Sequence, residues 1–380
     1  MLNKNTSKKL IILLILFLIL ISMPVPIFAE QGKDDYNIFY LMEIMAIIQE
    51  NYLYDISREE LIEGAIKGLF NKLDSHSEYF TKEEFRNFIE KTSGDFVGIG
   101  IYIGERNGHI KIVEVIEGGP AHKEGLQAGD IIVEIDGQNV AGLTVDEVAQ
   151  LIRGEENTYV NIKVKRNKKN IVYEIKRQVV QMNPIKYYTI DDNIAYIKIS
   201  NFNEHTTENL ERVLKEIDKK SITNIIVDLR NNPGGLLMEV VKSLRFFIPE
   251  GPIVHVKYKG GVVETLYSTL KEPKYNLVVL INEYSASASE IFAGAVQDTG
   301  AGKIIGTPSY GKGTIQMLLP LPYGDGIKIT VGEYLTPNMR SINMRGIEPD
   351  IVVENKDDED LQLKRAIVYL RAIEKFVTQL

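Results

Sequence analysis

Three serines lie in one short segment, residues 282–290, between an apolar run and a helix-like stretch. They are Ser285, Ser287 and Ser289. The apolar run at 277–281 predicts a strand and residues 291–296 predict a helix, so the serines should lie on a strand-to-helix turn. A hydroxyl at such a turn stands beside free helix N–H groups, which stabilise a developing oxyanion. The segment predicts a serine nucleophile and leaves three candidates open.

A lysine that could take part in catalysis follows at residue 312. It has a glycine on each side, and Gln316 lies four residues later. The glycines allow the backbone to bend closely around a neighbouring group. A lysine acts as a general base only if desolvation lowers its pKa toward neutrality. The pairing therefore predicts a serine and a lysine in a dry cleft. The structural alternatives are a capping box, for which Ser287-Ala-Ser-Glu290 also fits, and an ordinary surface lysine.

Composition indicates a globular protein of two or three domains. The chain has 380 residues, 44% of them hydrophobic and 25% charged, with a net charge of −8. Because binding to phosphates needs clustered Lys and Arg, nucleic acid is not expected as a partner, and peptides or proteins are the expected ligands. The absence of cysteine excludes thiol nucleophiles, disulfides and thiolate metal sites. The five histidines are scattered without a metal-binding spacing, so neither a metal nor another cofactor is expected.

The N-terminal residues 1–29 have the order of an export signal. Lys4, Lys8 and Lys9 precede an apolar run at 10–21, and small residues lead to Ala29. The run is shorter than the roughly 20 residues that span a bilayer, which favours cleavage after Ala29 over a retained anchor. We therefore expect an extracytoplasmic protein, secreted or tethered to the outer face of the cytoplasmic membrane.

The next two segments differ in periodicity. Residues 30–94 predict a helical N-terminal domain, with capping boxes at Ser57–Glu60 and Thr81–Glu84, and this domain is a candidate surface for a homodimer. Residues 95–177 alternate like short strands around one helix at 145–152. The stretch 118–137 of this β-rich module resembles PDZ domains, and Val97, Gly98, Ile99, Gly100 and Ile101 resemble their carboxylate-binding loop. PDZ domains bind peptides as an added strand and capture the terminal carboxylate.

The remainder predicts an α/β core at 178–356 and a terminal helix at 357–380. Two apolar runs, 194–199 and 222–229, flank an amphipathic helix at 206–219, an order that suggests a parallel crossover. A helix at 235–247 and the strand at 277–281 continue the alternation. We therefore expect a multidomain α/β protein.

The order of signal, helical segment, PDZ module and Ser/Lys core resembles the carboxy-terminal processing peptidases, which include the tail-specific proteases. The resemblance covers nearly the whole chain after residue 29. The matching motifs are Leu73-Asp-Ser-His76, Asp228-Leu-Arg-Asn-Asn-Pro-Gly-Gly235, Ser285-Ala-Ser-Ala-Ser-Glu290, Gly311-Lys-Gly-Thr-Ile-Gln316 and Gly346-Ile-Glu-Pro-Asp350. The resemblance implies a serine endopeptidase with a crotonase- or ClpP-like core.

The resemblance also implies roles for individual residues. Ser287 matches the nucleophile because it lies 25 residues before Lys312, as in the family, and Gln316 would orient the lysine. The oxyanion hole would consist of backbone N–H groups at Ala288 and in the turn containing Gly234 and Gly235. Two further positions match more weakly. Asp298 matches a supporting acid of the family, and the alternative is a plain helix-end residue. Arg153 matches an arginine that in some relatives couples the position of the PDZ domain to activity, and the alternative is a solvated side chain.

The expected reaction is amide hydrolysis through an acyl-enzyme, with the PDZ domain holding the free C-terminus of a protein or peptide substrate. Two alternatives remain open. A noncatalytic exported PDZ scaffold would have lost the serine, lysine and glutamine. An acyl-transfer enzyme or a hydrolase of small esters or thioesters would have no use for a peptide-binding module.

Overall fold

The computed structural model describes residues 37–356 and 359–377. The predicted export segment at 1–29 lies outside the described residues. The chain divides into two units, one up to Gly68 and one from Leu69 onward. This division differs from the predicted helical domain at 30–94. No helix in the described ranges is both long and apolar enough to cross a membrane.

The described part of the first unit is helical. Its helices are α1 (Ile38–Asn51) and α2 (Arg58–Phe70), the latter ending two residues past the division. The predicted capping box opens α2. The Ser57 hydroxyl accepts the Glu60 N–H at 3.1 Å, and the Glu60 carboxylate accepts the Ser57 N–H at 2.8 Å.

The second unit begins with β1 (Glu78–Phe80) and α3 (Lys82–Ser93). The helix α3 starts at the predicted box of Thr81 and Glu84, and ends at Gly94, whose φ of 84° only glycine adopts readily. The PDZ module follows. Its elements are β3 (Ile101–Arg106), β4 (His109–Val115), α4 (Pro120–Glu124), β5 (Ile131–Ile135), β6 (Gln138–Asn139), α5 (Val145–Ile152), β7 (Tyr159–Arg166) and β8 (Lys169–Lys176).

The PDZ module is an antiparallel sheet of order β3-β4-β5-β7-β8, with β6 paired to β5, around its own apolar core. Strand β3 lies at the sheet edge, and α5 packs beside it. The chain enters and leaves the module through a two-stranded ribbon of β2 (Asp95–Gly98) and β9 (Gln178–Gln181). The ribbon connects the module to the α/β core.

The core contains two sheets. Its elements are β10 (Ile185–Ile190), β11 (Ile194–Ile199), α6 (Thr206–Lys219), β12 (Asn224–Asp228), α7 (Leu237–Leu244), β13 (Gly251–Tyr258), β14 (Val263–Ser268), β15 (Asn276–Ile281), α8 (Ala288–Thr299), β16 (Gly302–Gly306), β17 (Thr314–Pro320), β18 (Gly326–Leu335), β19 (Ile351–Val352) and α9 (Leu361–Val377). The main sheet has the order β10-β11-β12-β15-β16-β19 and is parallel from β11 onward. The predicted parallel crossover through α6 is confirmed.

Apolar residues alternate between the two faces of the main sheet, as the two-residue period of a strand requires. Ile225 and Val227 of β12 contribute to the large core that contains α6, α7 and α8. Ile226 points to the opposite face, where Ala366 and Leu370 of α9 belong to the same buried cluster. The second sheet, of order β1-β18-β13-β14 with β17 paired to β18, packs its strand β13 against α7 and α8. The turn between β15 and α8 therefore lies between two rigid layers.

Candidate active site

The serine segment forms the predicted turn from β15 into α8, and its three serines have different surroundings. Ser285 and Ser289 are fully buried. The Ser285 hydroxyl donates to the Leu229 carbonyl at 2.9 Å, and the Ser289 hydroxyl donates to the Asn232 carbonyl at 3.0 Å. Ser287 is partly exposed and forms a capping box with Glu290, whose carboxylate accepts the Ser287 N–H at 2.8 Å. Ser287 is therefore the serine of this turn that is placed to react with an incoming group.

The backbone of Ser287 is strained. Its φ of 54° and ψ of −112° lie outside the regions that an L-residue ordinarily adopts. Such a conformation costs on the order of 1–3 kcal/mol and persists only where neighbouring contacts hold it. The strained turn presents the serine at the first turn of α8, where helix N–H groups carry partial positive charge.

Ser287 and Lys312 line the same cavity, whose volume is about 350 Å³. The walls include Gln316, Gly234, Gly235 and Ala288, so the predicted catalytic and oxyanion positions meet here. Apolar side chains supply much of the remaining lining, among them Phe88, Phe202, Leu236, Leu237, Ile291, Ile315 and Leu318. No hydrogen bond joins Ser287 Oγ to Lys312 Nζ within the described ranges. Both groups open into a common space in which a substrate amide would lie.

The environment of Lys312 favours its neutral form. The residue lies just before β17 and is half-buried. Burial lowers the pKa of Lys312 below its ordinary value, and the like charge of Lys328 lowers it further. The carboxylates of Glu290 and Asp74 oppose this shift. A lowered pKa increases the neutral fraction of Lys312, which is the form that can accept a proton.

Gln316 is held by threonines rather than by the lysine. Its Nε2 donates to Thr314 Oγ1 at 2.9 Å and to Thr330 Oγ1 at 3.2 Å. The Thr330 hydroxyl donates in turn to Asp74 Oδ1 at 3.1 Å. Among the described residues, no hydrogen bond joins Gln316 to Lys312, so the predicted orienting contact is not formed in this state.

Asp74 belongs to the motif at 73–76, and the same motif brings His76 close to the cavity. Burial lowers the pKa of His76, and the positive charges of Lys312 and Lys328 lower it further, although Asp74 opposes them. The sequence marked this motif as a family match without a role. The structure connects Asp74 to Gln316 through Thr330 and brings Asp74 and His76 within electrostatic range of Lys312.

The three predicted oxyanion donors differ in whether their backbone N–H groups are already hydrogen-bonded. In the part of the chain that the structure describes, no hydrogen bond occupies the N–H of Gly235 or Ala288. The N–H of Gly234, by contrast, donates to the Asn232 side chain at 2.8 Å. Gly234 was expected to be a donor, and the observed geometry narrows the free donors to Gly235 and Ala288. Gly234 instead allows close approach, since a Cβ there would meet Ala286 O at 2.7 Å.

Asp298 and Arg153 do not line the cavity of Ser287 and Lys312. The Asp298 carboxylate accepts the Asn338 N–H at 2.8 Å and pairs with Arg340, so it holds the turn after β18. Arg153 is exposed at the C-terminal cap of α5 and lines the PDZ groove. Neither residue contacts Ser287 or Lys312.

Three site residues were not assigned a site role from the sequence. Tyr334 and Lys328 both lie on β18 and line the cavity, but strand periodicity gives no reason to single them out. Glu290 was noticed only as a possible capping residue. In the structure it is fully buried, and its carboxylate accepts hydrogen bonds from both the serine turn and the lysine loop.

The PDZ groove is a second cavity, of about 240 Å³, between β3 and α5. The predicted carboxylate-binding loop, residues 97–101, lines it, with apolar Ile103, Ala149 and Ile152. The N–H groups of Ile99 and Gly100 have no hydrogen bond within the described ranges. Since β3 is an edge strand, the groove has the geometry for an added peptide strand and a captured carboxylate. Helix α3 lines both this groove, through Asn87 and Glu90, and the serine cavity.

Comparisons with known proteins identify the family of the chain. Residues 193–353 match the profile of peptidase family S41, and residues 111–166 match a PDZ domain profile. The chain is 35% identical over 319 residues to the carboxy-terminal processing protease CtpB of Bacillus subtilis, covering 82% of this chain and 66% of that protein. It is 34% identical over 335 residues to a probable CtpA-like serine protease of Staphylococcus aureus, covering 87% of this chain and 67% of that protein.

A solved structure, that of a photosystem II D1 C-terminal processing protease, is similar with a TM-score of 0.50 and 25% identity, over 83% of this chain and 92% of that chain. The chain spans about two thirds of the length of the two sequence relatives. These matches confirm the predicted fold class, a PDZ domain joined to an α/β peptidase core. The chain therefore belongs to the carboxy-terminal processing proteases of peptidase family S41.

Proposed function

We propose that this chain is an exported serine endopeptidase with Ser287 as nucleophile and Lys312 as general base. One observation carries the proposal. A partly exposed serine on a strained helix start shares an apolar-lined cavity with a half-buried lysine whose pKa is lowered, beside the unoccupied N–H groups of Gly235 and Ala288. A noncatalytic scaffold has no need for this arrangement.

In the proposed reaction, neutral Lys312 takes the proton of Ser287 Oγ as that oxygen bonds to the scissile carbonyl carbon. The N–H groups of Gly235 and Ala288 bind the resulting oxyanion. The protonated lysine then gives its proton to the leaving amine, and the C–N bond breaks to leave an acyl-enzyme. Water, deprotonated by Lys312, attacks the ester carbonyl carbon; the C–O bond to Ser287 breaks, the lysine returns its proton to Ser287 Oγ, and the acid is released.

The lack of a hydrogen bond between Ser287 Oγ and Lys312 Nζ among the described residues is compatible with this mechanism, because catalytic hydrogen bonds often form or shorten only when substrate binds. Lysine has a long flexible side chain, so a change of rotamer can move Nζ while the backbone stays in place. Gln316, held by Thr314 and Thr330, forms the wall beside this movement. We propose that Gln316 orients the lysine amine in the substrate complex.

We further propose that the PDZ domain binds the free C-terminus of the substrate. The support is the edge position of β3 and the unoccupied N–H groups of Ile99 and Gly100 at the end of an apolar groove. A terminal carboxylate is a better acceptor for two N–H groups than a neutral amide is. Selectivity should therefore lie near the substrate tail.

The test is cleavage of a loosely folded protein and of a matched tail peptide by the chain from Glu30 onward. We expect Ser287→Ala and Lys312→Ala each to lower kcat/KM by at least about 10²-fold. Lys259→Ala, at an exposed residue of the same core, should leave it unchanged. Peptides with an amidated C-terminus should show a KM raised about tenfold. Cleavage that survives Ser287→Ala refutes the nucleophile, and equal KM for both peptides refutes carboxylate capture.

Location and assembly are separate proposals. Export is supported by the charged, apolar and small-residue order of residues 1–29. Intact mass of the protein recovered from its host distinguishes cleavage after Ala29 from a retained anchor. Association of two copies through the helical N-terminal segment is supported by the apolar surface of α1, where Ile38 and Phe39 are 63% and 73% exposed. Sedimentation with and without residues 30–68 tests it.

A further inference from the structure

A single buried carboxylate connects the serine turn to the lysine loop. Glu290 is the third residue of α8 and is fully buried. Its Oε2 accepts the N–H of Ser287 at 2.8 Å and the N–H of Lys312 at 2.9 Å. Its Oε1 accepts the N–H of Gly311 and the hydroxyl of Ser309, both at 2.6 Å. All four partners donate, which is the pattern expected around an ionised carboxylate.

A phenol performs the complementary task on the carbonyl side. Tyr334, at the end of β18, is 1% exposed. Its hydroxyl lies within hydrogen-bond distance of the carbonyl of Ser287, at 3.0 Å, and of the carbonyl of Lys312, so its single proton is shared between them. Burial, and then the charge of Glu290, raise the pKa of Tyr334 well above its ordinary value, so the group stays a neutral donor.

The peptide groups of Ser287 and Lys312 are thus held together from both sides. Glu290 accepts the two N–H groups, and the single hydroxyl proton of Tyr334 is shared between the two carbonyls. We propose, on the basis of the function proposed above, that Glu290 and Tyr334 are positioning residues that hold the strained serine and the lysine in register for proton transfer. A second link, from the Tyr310 N–H to the Ser285 carbonyl, joins the same two segments but does not touch either reacting residue.

An ordinary capping box does not explain these contacts. A capping carboxylate binds the N-cap N–H of its own helix, as Glu60 does for Ser57 in α2. Glu290 makes that bond, but its other three donors come from residues 309–312, about 20 positions along the chain. A core tyrosine likewise needs only one acceptor. The shared partners indicate a link between two loops.

The two groups have different electrostatic effects on the lysine. Four charged or titratable groups influence Lys312 or respond to it: Lys328 from β18, Glu290 from α8, and Asp74 and His76 from the turn before β1. Glu290 favours the protonated lysine, so Glu290→Gln should lower the pKa of Lys312. Tyr334→Phe removes no charge and should leave that pKa in place.

The experiment compares Tyr334→Phe and Glu290→Gln with the matched exposed controls Tyr323→Phe and Glu250→Gln. Phenylalanine keeps the ring of Tyr334, so that variant should fold. We expect kcat to fall about 10- to 100-fold in both test variants, with KM changed less than about threefold, as for a lost buried hydrogen bond expressed in the transition state. The acid limb of kcat/KM against pH should move to lower pH in Glu290→Gln and stay in place in Tyr334→Phe.

Hydrogen–deuterium exchange gives a readout that does not depend on catalysis. In either test variant, protection should fall in peptides covering residues 284–291 and 309–316 together, and stay unchanged in peptides from the PDZ module. If the wild type cleaves nothing, the proposed function fails, while joint loss of protection still supports the link. The proposal is overturned if Tyr334→Phe keeps kcat within twofold of wild type, or if the two segments do not lose protection together.

Discussion

Gly234 offers the sharpest test of how closely the nucleophile turn must be packed. Its φ is +104°, and a Cβ added there would meet Ala286 O at 2.7 Å, Ala288 N at 2.9 Å and Ser287 Cβ at 2.9 Å. Real Cβ atoms do not approach other atoms so closely, and the first two neighbours are backbone. Gly234→Ala must therefore push against the serine and against one oxyanion donor.

The magnitude has two parts. A positive φ costs an alanine roughly 1–2 kcal/mol relative to glycine, wherever it occurs. Overpacking adds about 1–3 kcal/mol, which is relieved by displacing the turn. If the second part is lost from the transition state, kcat falls about 5- to 150-fold, because 1.36 kcal/mol corresponds to a tenfold change in rate.

The assay is hydrolysis of the tail peptide together with thermal unfolding. Gly260→Ala is the matched control, since Gly260 has a φ of +84° with nothing within 4 Å of the added Cβ. Gly260→Ala should lose about as much stability as the backbone strain alone costs Gly234→Ala, and its kcat should equal that of the wild type. Tight packing at Gly234 is refuted if Gly234→Ala keeps kcat within threefold of wild type, or if both variants lose activity equally.

Two further predictions concern charged groups. For the wild type, kcat/KM should rise with pH as Lys312 loses its proton. The charge of Lys328 lowers the Lys312 pKa, so Lys328→Met should move this rise to higher pH in a pH–rate profile. An unchanged midpoint contradicts this prediction. Arg230→Met should lower the free energy of unfolding at neutral pH by about 3–5 kcal/mol in urea titrations, because it leaves the buried Asp228 with fewer partners. Burial opposes ionisation of Asp228, but Arg230 and Lys198 outweigh burial and hold the pKa of Asp228 below its ordinary value. The wild type should therefore lose stability as pH falls through the range in which carboxylates are protonated, and Arg230→Met should lose less. Equal losses contradict the role of Arg230.

Local patterns predicted much of the secondary structure because their causes are local. The amphipathic period at 206–219 gave the bounds of α6, and Ser57 and Thr81 opened helices as their capping partners required. The chain order of strand, helix and strand was enough to predict the parallel crossover, since such connections follow one topology. The strand-to-helix turn that carries Ser287 was predicted for the same reason.

Contacts between distant segments could not be predicted in this way. One predicted oxyanion donor, the N–H of Gly234, is not free, because it is bonded to the Asn232 side chain. No spacing rule predicts which N–H group a side chain will bind. Asp298 was a candidate supporting acid, but in the structure it pairs with Arg340. Arg340 lies about 40 positions along the chain, after the hairpin of β17 and β18. Neither arrangement has a local cause.

The sequence by itself determined the chemical groups and their approximate positions: serines at a helix start, one lysine between glycines, and a β-rich module whose loop at 97–101 resembles a carboxylate-binding loop. The family spacing had already selected Ser287, and the tertiary structure added the physical difference between the three serines: Ser285 and Ser289 are buried and bonded to carbonyls. Only the tertiary structure decided that Glu290 and Tyr334 link the serine to the lysine. The physical reason is that burial and hydrogen-bond partners depend on which segments pack together, and a local pattern carries no record of that packing.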